Sequence, residues 1–336
     1  MSQFFVYKLK PKASFHLGVA GVGIESTESI IHSDTLFAAI VSAWRYLGEV
    51  DANGNIPLLE PFIQPDGDMP FYLSSAFPYV GDTILLPRPR IKLGEDKATK
   101  DIEFLSMEAL REIIQGKLNE KETIQRGKIM LTDAERKELD INFVWRSGKE
   151  TREARPPRVT IDRITSQTAI YFCGRVSFEG NCGLYFWVDV RDDEYKAHLD
   201  RAIDFLSEEG LGGERSIGHG QFTFRCDKAE LPTFSNPNPS QIRYLTFALY
   251  HPTEDEVCRD GVLDGATYKL IERGGWIYSP DGKSQRRRRI KMLKEGALFN
   301  KPVAGDIVSV EPSNFPHPVY RYGLAFPKGG LKMHRA

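Results

Sequence analysis

The residues best suited to chemistry crowd into one short stretch, 211–222, which reads LGGERSIGHGQF. It sets Gly212, Gly213, Gly218 and Gly220 around Arg215, Ser216 and His219. Glycine lacks a Cβ, so it reaches positive φ and lets another backbone come close. A loop of this kind can turn several N–H groups toward one anion, and an arginine adds a bidentate phosphate donor. The pattern is not a dinucleotide fingerprint, which follows a strand and opens a helix, nor a P-loop, since no Gly-Lys-Ser/Thr follows. The same glycines would equally serve a plain helix-to-strand connection that needs a C-cap and a turn.

Two further clusters carry charge suited to phosphates. Arg152, Arg155, Arg158 and Arg163 surround Pro156-Pro157, and Arg286, Arg287, Arg288 and Arg289 follow one another with Lys283, Lys291 and Lys294 nearby. Such arginines can track a phosphate backbone; the first set could equally pair with acids of the preceding segment, the second with an acidic patch on a partner. Ser33 or Asp34 supplies an N-cap at the start of an apolar-striped helix, whose free N–H groups are also a potential anion site.

The elements that must position these groups follow from periodicity. Ala202, Ile203, Phe205 and Leu206 repeat at helical spacing up to Gly210, while Phe222 and Phe224 alternate with polar residues as in a strand. The glycine-rich loop 210–220 therefore joins a helix to a strand. Residues 4–9 read as a first strand. Leu36, Phe37, Ile40, Val41, Trp44 and Leu47 make the clearest amphipathic helix, within residues 30–48. FYLSSAFPYV and TILLPRPR read as strands about a Gly81-Asp82 turn, and within residues 151–178 the alternation from Val159 on reads as a hairpin that continues into 184–190. A charged insertion at about 95–140 shows little sustained apolar face and reads as helical insertions or a partly ordered lobe, with a solvated surface. LPTFSNPNPSQ, 231–241, is the clearest linker. Beyond it IRYLTFALYHP reads as a strand, TYKLIERGGWIYS as a hairpin and VYRYGLAFP as a last strand, together a small α+β domain. The expected domains are 1–235 and 240–336.

Composition narrows the class. With 336 residues, 41% apolar content and a net charge of −1, the chain is expected to be an ordinary globular protein of two domains, its basic surface local. No apolar run approaches a membrane span, and no signal-peptide core is visible. Cys173, Cys182, Cys226 and Cys258 form no CxxC pair, so neither a zinc site nor a disulfide framework is expected, and the compartment is expected to be the reducing cytoplasm. No metal and no cofactor is expected.

The entry HSDTLFAAI, the loop GLGGERSIGHGQF and the hairpin RPPRVTIDRIT together resemble the RAMP proteins of type III CRISPR effectors. The nearest likeness is to the subunit that holds the crRNA 5′ tag in the type III-A (Csm) complex, with the C-terminal hundred residues resembling its second domain. The resemblance implies an α+β fold of two ferredoxin-like, RRM-type domains with an insertion in the first. It implies a non-catalytic subunit gripping the repeat-derived tag, between a large polymerase-like subunit and a RAMP backbone subunit. RNA contacts are then expected from Gly212, Gly213, Arg215, Ser216, Gly218, His219, Gly220, His32, Ser33, Arg155, Arg158, Arg163, Arg286 and Arg287. The rival readings are a metal-independent RAMP endoribonuclease using His32 or His219, and the equivalent subunit of a type III-B complex. Asp34 also invites comparison with the loop aspartate of the target-cutting backbone subunits, although its place at a helix start favours capping.

Overall fold

The computed structural model describes residues 2–18, 23–64, 68–91, 97–115, 122–139, 141–147, 156–234, 241–279 and 285–335. Arg155, with Arg152, Lys92, Lys283 and most of the linker, lies outside the described residues.

A nine-stranded sheet organises the molecule. At one end of it the order is Phe222–Lys228, Gln3–Pro11, Cys182–Val190 and then Phe77–Val80, with the short strand Phe71–Leu73 also on Cys182–Val190. All these pairs are antiparallel, and the register sets Leu9 between Leu184 and Phe224. Cys182–Val190 is buried along its whole length because it is central and covered on both faces. Its sequence CGLYFWVDV is correspondingly a nearly continuous apolar run rather than an alternating one.

Two helices cross this sheet. Ser33–Tyr46 buries Leu36, Phe37, Ile40 and Trp44, the stripe its spacing predicts. Asp193–Glu209 buries Tyr195, Leu199, Ala202, Ile203 and Leu206 and ends at Gly210, whose φ of 89° only glycine adopts freely. The two helices meet where Trp44 donates its indole N–H to the His198 carbonyl at 3.2 Å.

The sheet then runs on through Thr83–Pro87, Phe104–Ser106, Ile129–Leu131 and Glu122–Ile124. This corrects the expectation for residues 95–140. The helices Lys97–Lys100, Met107–Ile114 and Asp133–Glu138 are there, but so are three short strands that extend the main sheet. Phe104–Ser106 and Ile129–Leu131 are only three residues long and fully buried, so they were hidden between charged flanks. The hairpin Pro157–Ile161 with Thr168–Phe172 stands apart as its own two-stranded ladder, exposed along most of both strands.

Beyond the linker, Gln241–Leu245 pairs with Leu298–Phe299 and Leu331–Arg335. Two expected elements are corrected. Leu270–Arg273 pairs not within TYKLIERGGWIYS but with Ile290–Leu293, with a Trp276 to Arg286 bridge beyond it, so the arginine run leads into the second arm of the hairpin. Tyr320–Leu324 is a strand, but the last one is Leu331–Arg335.

The halves are not packed as strangers. One core cluster takes in Phe37, Trp187 and Leu184 together with Phe247, Tyr322 and Met333. The Phe37 and Tyr322 ring centroids lie 5.0 Å apart, and those of Trp187 and Phe247 5.4 Å apart. The Tyr322 hydroxyl accepts the Leu73 N–H at 2.9 Å.

Candidate nucleic-acid interface

Residues from three distant parts of the chain line one cavity of about 380 Å³. Gly212, Gly213 and Arg215 form one wall, Thr35, Ala38, Ala39 and Ser42 of the first long helix form the floor, and Trp276, Tyr278 and Arg287 of the C-terminal half close it. The small side chains at helical spacing are what leave room above the helix.

The loop wall is built by close backbone contacts. Gly213 N–H donates to the His16 carbonyl at 2.8 Å and Gly220 N–H to Ser14 carbonyl at 3.0 Å, which ties the loop to the segment after the first strand. A Cβ on Gly212 would lie 2.6 Å from the His16 carbonyl. Most loop N–H groups are consumed internally in this way. Those of Gly212, Glu214, Arg215 and Ser216 have no hydrogen-bond partner among the described residues. Three of them are consecutive, at the start of the 3-10 turn Arg215–Ile217, entered through Glu214 at a left-handed φ of 60°. The donors available to an anion are thus the residues between the glycines more than the glycines themselves.

Around these donors the side chains are cationic and aromatic. The Arg215 guanidinium sits 4.4 Å from the Tyr278 ring centroid, and Arg286 sits 5.0 Å from that of Trp276. Trp276 and Tyr278 are both more than half exposed. Arg287 is largely enclosed, its Nε has no hydrogen-bond partner among the described residues, and burial followed by the nearby Arg321 lowers its pKa to about 10. Tyr278 also borders a second cavity of about 350 Å³, walled in part by Tyr46 and Tyr320.

Other expected site residues are turned inward. Arg158 donates to Glu214 at 2.8 Å and stands 2.8 Å from His219 Nε2, while His219 Nδ1 lies 2.9 Å from the Ser14 carbonyl. This arginine therefore props the loop from behind. Arg163 and Ser216 are exposed, and Gly218 has open space around it. Ser33 is fully buried, its hydroxyl accepting the Leu249 N–H at 3.0 Å.

The start of the helix is the largest correction. His32 is the N-cap and no side chain caps the helix. Asp34 instead accepts two hydrogen bonds from Arg273, Nε to Oδ2 at 2.9 Å and Nη2 to Oδ1 at 2.9 Å, and a third from Arg321. Burial would raise its pKa, but the two guanidiniums hold it far below the usual carboxylate range. Beside it His32 sits between Glu295, 2.7 Å from Nδ1, and Glu28, 2.6 Å from Nε2. Burial disfavours the imidazolium, yet Glu295 and Glu28 together raise the His32 pKa to about 9. Glu28 is likewise opposed by burial and brought down to about 2, chiefly by His32. Arginines from residues 273 and 321 are invisible to local pattern reading, so the cap was the only partner the sequence offered. His16, Trp276 and Tyr278 were missed as well; the one available signal was the i, i+2 spacing of the two aromatics just before the basic run.

Among the described residues no group of three or more His, Cys, Asp or Glu side chains is placed to hold a metal ion, and no helix is long and apolar enough to cross a membrane.

The chain has relatives along nearly its whole length. Residues 240–329 match the model of the CRISPR Csm4 C-terminal domain. The CRISPR system protein Csm4 of Thermococcus onnurineus is 28% identical over 337 residues, covering 98% of this chain and 97% of that protein. The Csm4 protein of Methanocaldococcus jannaschii is 27% identical over 350 residues, covering 91% and 88%. Among solved structures, a Csm3–Csm4 subcomplex of the type III-A CRISPR-Cas interference complex contains a chain of the same fold, with a TM-score of 0.64 at 21% identity and coverage of 96% and 98%. A Csm1–Csm4 cassette gives 0.55 at 20% identity, covering 98% of each chain. The likeness to a type III-A CRISPR subunit read from HSDTLFAAI and the glycine-rich loop is borne out.

Proposed function

We propose that this chain, a relative of the CRISPR protein Csm4, is the subunit of a type III-A effector complex that holds the 5′ tag of the crRNA. In that role it bridges a Csm1-like large subunit to a Csm3-like backbone subunit, the two partners with which its structural neighbours were crystallised. The observation that carries the reading is the cleft itself. It combines Gly212 and Arg215, whose N–H groups have no hydrogen-bond partner among the described residues, with the Arg215 guanidinium, the enclosed Arg287 and two exposed aromatic rings. Single-stranded RNA held in a fixed path needs donors and cations for phosphates and flat faces for unstacked bases. A carboxylate ligand would use the donors but not the rings.

The exposed hairpin fits the same role. It carries Arg163 near its tip and Ile161, Ile164 and Ile170 on its surface, apolar groups able to wedge between bases or to pack on a neighbouring subunit. We read the first domain as ferredoxin-like; the strand order Phe222–Lys228, Gln3–Pro11, Cys182–Val190, Phe77–Val80, with one helix after the first strand and one after the third, supports that reading. We extend that reading to residues 240–336 on the strength of the Csm4 C-terminal match.

We take the subunit to be non-catalytic. Support comes from the two histidines available for acid–base work. His219 has both ring nitrogens engaged by Arg158 and Ser14, and His32 is wedged between two carboxylates in the interior. Neither can exchange a proton with a bound strand without first losing a structural contact.

The test is a gel shift with tag-bearing crRNA and with the same RNA carrying a scrambled tag, run in parallel on a denaturing gel. Preferential binding of the tagged RNA without cleavage is expected. Equal binding of both would remove tag recognition, and specific cutting lost in His32→Ala or His219→Ala would make the chain a ribonuclease.

A further inference from the structure

A further cavity, of about 510 Å³, shares Glu28 and Ile30 with the glycine-loop cleft. Its lining holds seven cationic side chains against four carboxylates. They arrive from three places. Arg88 and Arg90 follow the strand Thr83–Pro87, Lys100 and Arg126 belong to the insertion, and Lys269 and Lys294 flank the C-terminal hairpin. Two of the carboxylates, Glu28 and Glu295, hold His32 and also act on Lys294, with Glu295 acting on Arg90 as well; Glu103 faces Lys128 at 3.8 Å, and Asp101 is the fourth.

What remains is a set of cations with little to neutralise them. Lys100, Arg126 and Lys269 are exposed at the rim and form no ion pair among the described residues. Arg90 is half-buried, and its Nε is enclosed without a hydrogen-bond partner among the described residues. Arg88 is held in place by the carbonyls of Thr99, Lys100 and Ile102.

The turn that presents Arg126 is built at a cost. Gln125 and Arg126 both have a left-handed φ of 54°, a conformation that side-chain-bearing residues seldom adopt. The buried Gln125 amide enforces it by donating to the Trp145 carbonyl at 2.7 Å and accepting the Val144 N–H at 2.8 Å. Backbone strain of this sort persists where the surroundings over-determine it, and it clusters at binding sites. Gathering like charges around an enclosed space is unfavourable unless an anion fills it. A space of this volume admits a phosphate and its sugar but not a folded peptide.

We propose that this cavity is a phosphate-binding site, distinct from the glycine-loop cleft. Its ligand is a nucleotide phosphate, supplied either by the RNA strand running on past Glu28 or by a free nucleotide. The strand source rests on the RNA-binding reading above; the nucleotide source does not.

The experiment uses the full chain, wild type and an Arg126→Glu/Lys269→Glu variant, with Lys100→Glu/Lys269→Glu as a second pair should the first lose its thermal transition. Each protein is titrated with a tag-bearing single-stranded RNA over a salt series, and separately with ATP by calorimetry. A strand source predicts at least a tenfold loss of RNA affinity. It also predicts a log–log salt slope shallower by about 0.7 for each phosphate contact removed, with no ATP heat. A free-nucleotide source predicts ATP binding to the wild type that the variant lacks, with RNA affinity unchanged. Identical RNA and ATP titrations for wild type and variant would overturn the proposal. A wild type that binds no RNA would sink the RNA-binding reading, and ATP binding alone would then decide the cavity.

Discussion

Arg215 and Trp276 face the same cleft, but they would hold RNA by different forces, and salt separates them. Arg215 offers a charge beside N–H groups that have no hydrogen-bond partner among the described residues. Arg215→Ala is expected to weaken tag RNA binding and to flatten the log–log salt slope by about 0.7, the increment for one phosphate on a single strand. Trp276 offers an exposed ring face. Trp276→Ala is expected to lose about 1–3 kcal/mol of affinity at every salt concentration, because stacking releases no counterions. Fluorescence anisotropy over a salt series reads both, and parallel losses with equal slopes would refute the division of labour. Arg215 was legible in the sequence because glycines framed it. Trp276 was not, because nothing in a lone aromatic pair says which surface it faces. Arg158 was legible as a cation but not as a prop, since its partner Glu214 stands 56 residues away.

At the scale of elements, the glycine-rich loop contains two kinds of glycine. Gly220, at φ 86°, has the Leu211 backbone where a Cβ would go, whereas Gly218, at φ 87°, has nothing within 4 Å. Gly218→Ala should cost about 1–2 kcal/mol, the price of the left-handed conformation alone. Gly220→Ala must also push two strands of backbone apart and should cost on the order of 3–4 kcal/mol. Urea unfolding of the two variants gives the comparison, and equal costs would mean that the close packing at Gly220 is easily relieved. The helix, loop and strand here were readable because each has its own period and the glycines punctuate them. The insertion was not, because three-residue strands are too short to show a period and take their pairing from strands far off in the chain. The C-terminal hairpin failed for a related reason. Its second arm, Ile290–Leu293, is preceded by arginines whose charge hid the strand.

For the whole molecule, the buried charges around the first long helix join the two halves. Asp34→Ala would strand Arg273 and Arg321 in the interior, and breaking a buried pair from one side costs about 3–5 kcal/mol. The wild type should unfold in one transition and the variant at clearly lower denaturant; an unchanged midpoint would show the network to be idle. The neighbouring histidine adds a pH dependence. His32 has its pKa raised to about 9, so its contribution is complete below the unfolded value near 6.5 and is lost as pH rises through 9. Glu28 is lowered to about 2, so its contribution is complete above about 4.5 and fades as pH falls toward 2. Thermal stability should therefore decline between pH 6.5 and 9, and His32→Gln should flatten that limb. A wild-type limb as steep as the variant's would contradict the assignment.

The exposed hairpin has a consequence for the life of the chain outside any assembly. Ile164 at its tip is 94% exposed, Ile170 69% and Ile161 63%, and among the described residues the two-stranded ladder leaves both outer edges unpaired. Open edges beside apolar side chains invite pairing with another copy of themselves. An orphaned molecule is then a client for chaperones and proteases, and its solubility depends on how soon something else covers the hairpin. Co-production with whatever occupies that surface should raise the soluble yield, and trimming the hairpin to a short turn should do the same without a companion.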